Sequence, residues 1–243
     1  MAFTQRNCFY KKEPYMAKDP NPKGIDLAPL DLDKTAARFK SSLIEISEYS
    51  MLAQKQDVKP NTKENLYRSQ IIMIVSSFDS FLHELAKVVV LCMYNGQWNR
   101  KTDAYTEIEE ALKSSRGLLD KSKLIEETHE RIKTHTYYNI SKKPEEGIEY
   151  CLFSLMGLNR EHVIINSNLI NGVTSDYEFK KRIRTIAGRR NSIAHNYDRD
   201  NSSLDKTVID KSVAEKAVSD IKKIVDSILK EVDFNILKIQ QTA

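Results

Sequence analysis

The sequence predicts an all-α protein, an antiparallel helical bundle preceded by an irregular N-terminal arm. Three observations carry this expectation. Apolar residues recur at steps of three and four over long stretches, the period of a single helix face. Turn residues are scarce: 243 residues hold only 7 Gly and 6 Pro, and four of the prolines precede residue 30, too few for the many tight turns of an all-β fold. Ser-x-x-Glu capping signals open two of the periodic stretches.

Residues 1–29 carry Pro14, Pro20, Pro22, Gly24 and Pro29 without sustained periodicity and read as an extended arm, so the folded domain is expected over 30–243. Leu32, Ala36, Phe39, Leu43, Ile46 and Ser50 mark one face of a first helix over about 31–57, which Pro60 stops. Asn61 and Glu64 have capping spacing, and no breaker follows until Gly96, which predicts a long, largely buried second helix. Between 97 and 173 the pattern gives shorter helices near 104–115, 118–134 and 143–156, the last ending at Gly157. Ser175 and Glu178 form a capping box ahead of Phe179, Ile183, Ile186, Arg190 and Ile193. Ser212 and Glu215 form a second, opening a final helix striped by Val213, Ala217, Ile221, Ile224, Ile228 and Val232. The sequence shows no internal repeat and no low-complexity tract.

Hydrophobic residues at 40% and charged residues at 30% exclude a long disordered chain. With 38 Lys and Arg against 34 Asp and Glu the net charge is +4, so any nucleic-acid signal has to be local. Cys8, Cys92 and Cys151 form no C-x-x-C pair, have no His at zinc-finger spacing and are odd in number. They read as reduced, mostly buried thiols of a cytoplasmic protein. No stretch reaches the roughly 18 apolar residues of a membrane span. The nearest, 71–94, contains Asp79, His83, Glu84 and Lys87 and reads as a core helix carrying polar groups inward.

The sequence contains no G-x-G-x-x-G, no G-x-x-x-x-G-K-[ST], no H-E-x-x-H and no G-x-S-x-G, which removes the main support for dinucleotide-binding, P-loop, zincin and hydrolase chemistry. What stands out is SDYEFKKRIRTIAGRRNSIAHNYDRD, residues 175–200. Between 180 and 190 it places Lys180, Lys181, Arg182, Arg184, Arg189 and Arg190 with no acid among them. Arg190 and His195 lie five apart, about 140° around a helix, while Asn191 and His195 share a face. Arginine is a permanent cation whose fork matches phosphate oxygens, and histidine moves protons near neutrality, so the pair suits phosphodiester cleavage. The same residues also fit a solvated basic helix in which Arg190 packs its stem on the core and His195 caps a carbonyl.

Asp79 and His83 are four apart on the second helix, and burying them needs a reason. Either Asp79 pairs with an arginine of the basic helix or the two orient Arg190 and His195; Glu84 is the weaker candidate for the same role. His129, His135 and His162 have no metal-ligand partner at useful spacing. Tyr137 and Tyr138 suit packing of a loop better than base stacking.

RRNSIAH, residues 189–195, resembles the R-polar-x-x-x-H signature of the HEPN superfamily of helical ribonucleases and nucleotide-binding domains, on the penultimate helix where that superfamily carries it. FDSFLHEL, 78–85, resembles the matching helix of a HEPN subgroup associated with phage defence, and the likeness covers roughly 30–240. The resemblance implies a HEPN-type bundle with extra helices. It also implies RNA cleavage without metal or cofactor, in which Arg190 holds the scissile phosphate, Asn191 orients it and His195 is acid or base. Arg189, Arg184, Lys181 and Tyr197 would contact the RNA, and Asp79 and His83 would support the site. The implied partners are RNA, a second copy in a homodimer, and an antitoxin or defence-system protein, with no membrane. The competing expectations are a non-catalytic HEPN-like module for RNA or nucleotide binding and dimerisation, and a helical scaffold with a basic surface.

Overall fold

The computed structural model describes residues 27–116, 121–133, 144–169, 175–196, 198–199 and 206–242. Within it, α1 (Leu27–Ala53) turns back into α2 (Pro60–Tyr94), and the two helices pack antiparallel. The Phe39 and Phe81 rings pack tilted at 5.5 Å between centroids, and Arg38 approaches Glu84 at 3.8 Å. On α1, Leu32, Phe39, Ile46 and Ala53 are buried at every seventh position, so a single stripe faces α2. This helix is displaced from its expected limits: its helical backbone reaches into the last three residues assigned to the arm and stops four short of residue 57. The rest of the arm, including Cys8, lies outside the described residues.

α2 starts at Pro60, whose fixed φ suits the first helical turn. Its N-cap is Lys59 with no side-chain cap, so Asn61 and Glu64 do not form the capping arrangement their spacing suggests. Ile71, Ile74, Phe78, Phe81, Leu82, Leu85, Val89 and Cys92 are buried around much of its circumference. A helix apolar on nearly all sides belongs in the middle of a bundle, and the later helices assemble around this one.

The middle segment follows as α3 (Asp103–Arg116), α4 (Lys121–Ile132) and α5 (Pro144–Glu149), which runs on into a π-helical turn at Tyr150–Leu155. The helix expected over 143–156 is thus present in extent, but its second half is wider than an α-helix. Its carbonyls are met from outside. Thr102 Oγ1 donates to Leu155 O at 2.9 Å and also caps α3 by accepting from Tyr105 N. Trp98 Nε1 donates to Met156 O at 3.0 Å. Gly157, at φ +66°, then reverses the chain.

α6 (Arg160–Ser167) is a short helix that apolar periodicity does not reveal; Asn159 caps it, accepting from His162 N at 3.0 Å. It lies on the final helix through Ser227 Oγ to Val163 O at 2.7 Å. α7 (Asp176–Asn196) begins at the expected cap, Ser175 Oγ accepting from Glu178 N, and buries Phe179, Ile183, Ile186 and Ile193. α8 (Lys211–Thr242) is capped by Asp210, which accepts from Val213 N at 2.9 Å, and not by Ser212. The shift in register leaves Val213 exposed and starts the buried stripe at Ala214. The structure is all-α: among the described residues the sole β-type pairing is a bridge between Arg199 and Lys206. No helix among them is long and apolar enough to cross a membrane.

Gly157 gives the fold a direct test. A Cβ there would lie 2.6 Å from Thr102 Cγ2 on a left-handed backbone, whereas Gly96, at φ +72°, has open space around it. Gly96→Ala should cost the backbone term alone, about 1–2 kcal/mol, and Gly157→Ala clearly more, both read as urea unfolding free energies.

Candidate functional site

The site is assembled where α7 ends. Asp198 takes a left-handed conformation, φ 57°, which aspartate tolerates better than most residues. Its N–H bonds to Ser192 O at 3.0 Å and its carbonyl accepts from Thr207 N at 2.7 Å. The side chain is fully buried and shared by two arginines. Arg68 Nε of α2 donates to Oδ2 at 2.7 Å and Arg189 Nη2 to the same oxygen at 2.9 Å, while Arg189 Nη1 lies 2.6 Å from Oδ1. Arg68 also donates to Thr207 O at 2.8 Å and to Glu64. This clamp joins α2, the end of α7 and the segment entering α8. Arg189, expected on the RNA, is committed to the clamp.

Arg190 points elsewhere. Its Nη1 donates to Asn191 Oδ1 at 2.9 Å, so Asn191 steadies the guanidinium, and its Nε is buried with no hydrogen-bond partner among the described residues. Its charge acts on Asp79 of α2. Burial nonetheless raises the Asp79 carboxyl above its ordinary range, outweighing the downward pull of His83 and Arg190. Asp79 Oδ1 is buried without a hydrogen bond, 3.8 Å from His83 Nε2. Burial pushes His83 below the usual histidine range against the opposing pull of Asp79, and its ring meets His129 edge-on at 6.0 Å. Behind them the buried Cys151 thiol is pushed up to about 12, by burial first and then by Asp79, which leaves it inert. Cys92 is buried as well, in keeping with the reading of the thiols.

His195 is exposed and has no hydrogen-bond or ion-pair partner among the described residues. The structure therefore presents a backed arginine, an amide and an accessible imidazole on the last two turns of one helix. Glu84 is turned away, bonded by Lys87 at 2.8 Å with Arg38 nearby. His162 is not idle: it pairs with the buried Glu231 at 3.0 Å and ties α6 to α8. Tyr197, His135, Tyr137 and Tyr138 lie outside the described residues.

The run of cations is not a free patch. Arg182 pairs with Asp220, Arg184 with Glu145 at 2.6 Å, Lys180 with Asp176 at 2.7 Å and Glu149 at 2.9 Å, and Lys181 with Glu178 at 3.6 Å. Much of the charge counted along the sequence is offset by acids that the fold brings in. No group of three or more His, Cys, Asp or Glu among the described residues is arranged to hold a metal ion.

A family model described as RiboL-PSP-HEPN matches residues 37–233, a span running from α1 to α8 and including both site helices. The chain belongs to this family. No curated protein and no solved structure matches it significantly. Membership in the HEPN superfamily, together with the Arg190–His195 arrangement at the end of α7, points to a nuclease-like or RNA-related function.

Two outcomes follow from this geometry. Asp198→Ala would leave Arg68 and Arg189 facing one another without their shared counter-charge, and should cost about 3–5 kcal/mol in urea unfolding. Asp79 behaves with the opposite sign. A carboxyl raised above 3.8 in the fold favours the folded state only while protonated, and that contribution is lost as pH rises through the folded value. Asp79→Asn should therefore raise the urea midpoint at pH 7, with the gain vanishing below pH 3.8; an equal gain at both pH values would contradict the assignment.

Proposed function

We propose that this HEPN protein is a metal-independent endoribonuclease that uses the substrate's own 2'-hydroxyl as nucleophile, acting in prokaryotic antiviral defence or as a toxin. The observation that carries the reading is the division of labour at the end of α7. Arg190 is held by Asn191 and its charge acts on the Asp79 carboxyl, while His195 stands open to solvent.

In this reaction the 2'-oxygen attacks phosphorus and loses its proton to an imidazole. Negative charge then builds on the non-bridging oxygens, where a fixed guanidinium is worth most. The 5'-oxygen departs and takes a proton from an imidazolium. The products are a 2',3'-cyclic phosphate and a 5'-hydroxyl, and DNA, lacking the nucleophile, is spared. Arg190 supplies the charge and His195 a proton-transfer group. One chain offers a single motif histidine for two proton transfers, so the reading includes a homodimer with a two-fold axis near His195. An antitoxin or defence-system protein is the partner expected to restrain such an activity.

Arg190→Ala and His195→Ala should each lower cleavage of total RNA by roughly two orders of magnitude or more while helical content, followed by circular dichroism, is kept. Cleavage should persist in excess chelator, and end analysis should find cyclic phosphate. Strict magnesium dependence, or 5'-phosphate ends, would overturn the mechanism. RNA binding without cleavage by the unaltered protein would favour the non-catalytic module.

A further inference from the structure

The outward face of α7 continues well beyond the motif. Tyr177, Lys181, Arg184, Gly188, Asn191 and His195 follow one another at steps of four and three, so they form one stripe along the helix opposite the buried Phe179, Ile183 and Ile186. We propose that this stripe is a track for single-stranded RNA leading away from His195, and that Tyr177 is a base-stacking platform at its far end. The inference rests on the ribonuclease reading for the location of the reacting phosphate, and it adds a binding residue outside the motif.

A lone exposed aromatic is ordinary on a protein surface. Tyr177 is 68% exposed, but it is interleaved with cations. Lys181 Nζ lies 5.8 Å from its ring centroid, and Arg184 is the next residue along the same stripe. An aromatic platform flanked by positive charge is the arrangement by which proteins hold unpaired bases and the phosphates between them.

The two cations are available in different ways. The Lys181–Glu178 pair, at 3.6 Å with its lysine exposed, is weak enough for a phosphate to replace it. Arg184 is 63% exposed while its partner Glu145 is almost buried. Glu145 Oε1 accepts from both Nε and Nη2, which leaves Nη1 for a further acceptor. Midway along, Gly188 carries no side chain, and a Cβ there would meet nothing within 4 Å, so the stripe dips to the helix backbone between the cations and the motif.

From Tyr177 to His195 the helix rises about 27 Å, the length of up to roughly eight stacked nucleotides at about 3.4 Å each. A second copy of the chain is the competing occupant. A helix-to-helix seam repeats apolar residues at this spacing, whereas this stripe holds none of the aliphatic residues such a seam needs. A two-fold axis near His195 leaves the Tyr177 ends on the outside of the dimer.

The test measures fluorescence anisotropy of labelled single-stranded RNAs of three and ten nucleotides, using His195→Ala protein so that nothing is cut. The ten-nucleotide RNA should bind more tightly. Adding Tyr177→Ala should weaken its binding roughly five- to a hundredfold, with the three-nucleotide RNA unaffected and Tyr177→Trp restoring the gain. Unchanged affinity for the longer RNA in Tyr177→Ala would overturn the track, as would a fall in molecular mass by light scattering, which would assign the stripe to a second copy. Length-dependent, Tyr177-dependent binding in a protein whose unaltered form cuts no RNA would keep the track and remove the nuclease reading.

Discussion

One buried carboxylate shared by two arginines sets the geometry on which the site depends. Asp198 has no exposure, and the charges it holds come from α2 and α7, which sequence separates by more than a hundred residues. Buried ionic clusters of this kind add little net stability, because desolvation consumes most of the Coulomb gain. Their effect lies in selection among arrangements. Breaking any contact strands a charge, so few alternative registers of α7 against α2 are tolerated. The clamp also decides where Arg190 goes. Consecutive residues on a helix project about 100° apart, so with Arg189 fixed on Asp198 its neighbour is turned to a different side, where its charge acts on Asp79.

What Arg190 meets there is an environment that disfavours charge. Asp79 is buried enough for its carboxyl to be raised even beside a histidine and an arginine, and one of its oxygens lacks a hydrogen bond. The Nε of Arg190 is likewise buried and unbonded among the described residues. A fold optimised for stability alone would fill these positions with apolar side chains. Unpartnered polar groups beside a titratable pair are the kind of local expense found where a ligand is meant to complete the bonding.

The fold was legible because its main signal is periodic burial. The stripe of α1, the all-round apolarity of α2 and the buried faces of α7 and α8 read directly from spacing. The π-turn at 150–155 and the short α6 were hidden, since one depends on partners such as Thr102 and Trp98 and the other on a capping asparagine and the buried Glu231. The site divided in the same way. Arg190, Asn191 and His195 were visible from a local motif, and Asp79 and His83 from their misfit in an apolar run. The bond of Arg189 to Asp198 could not be read from the motif, and the pairing of the cation run was legible only in part: Asp176 and Glu178 lie on the same helix, but Glu145 precedes Arg184 by 39 residues and Asp220 follows Arg182 by 38. The clues to the clamp were a single arginine on α2, just ahead of its apolar stretch, and an aspartate three residues past the motif histidine.

Pairing changes what kind of RNA contact this surface can make. Arg182 and Arg189 spend their charge on buried acids, Asp220 and Asp198, and cannot turn to a phosphate without stranding them. Lys181 and Arg184, by contrast, stand on the exposed row that ends at His195, one weakly paired and the other held from below. On the proposed reading, a protein with a net charge of only +4 would not rely on a diffuse positive field to gather RNA. On that reading these two exposed cations lie in register with the imidazole, so the position of the phosphate chain, more than the strength of attraction to it, is what α7 would control.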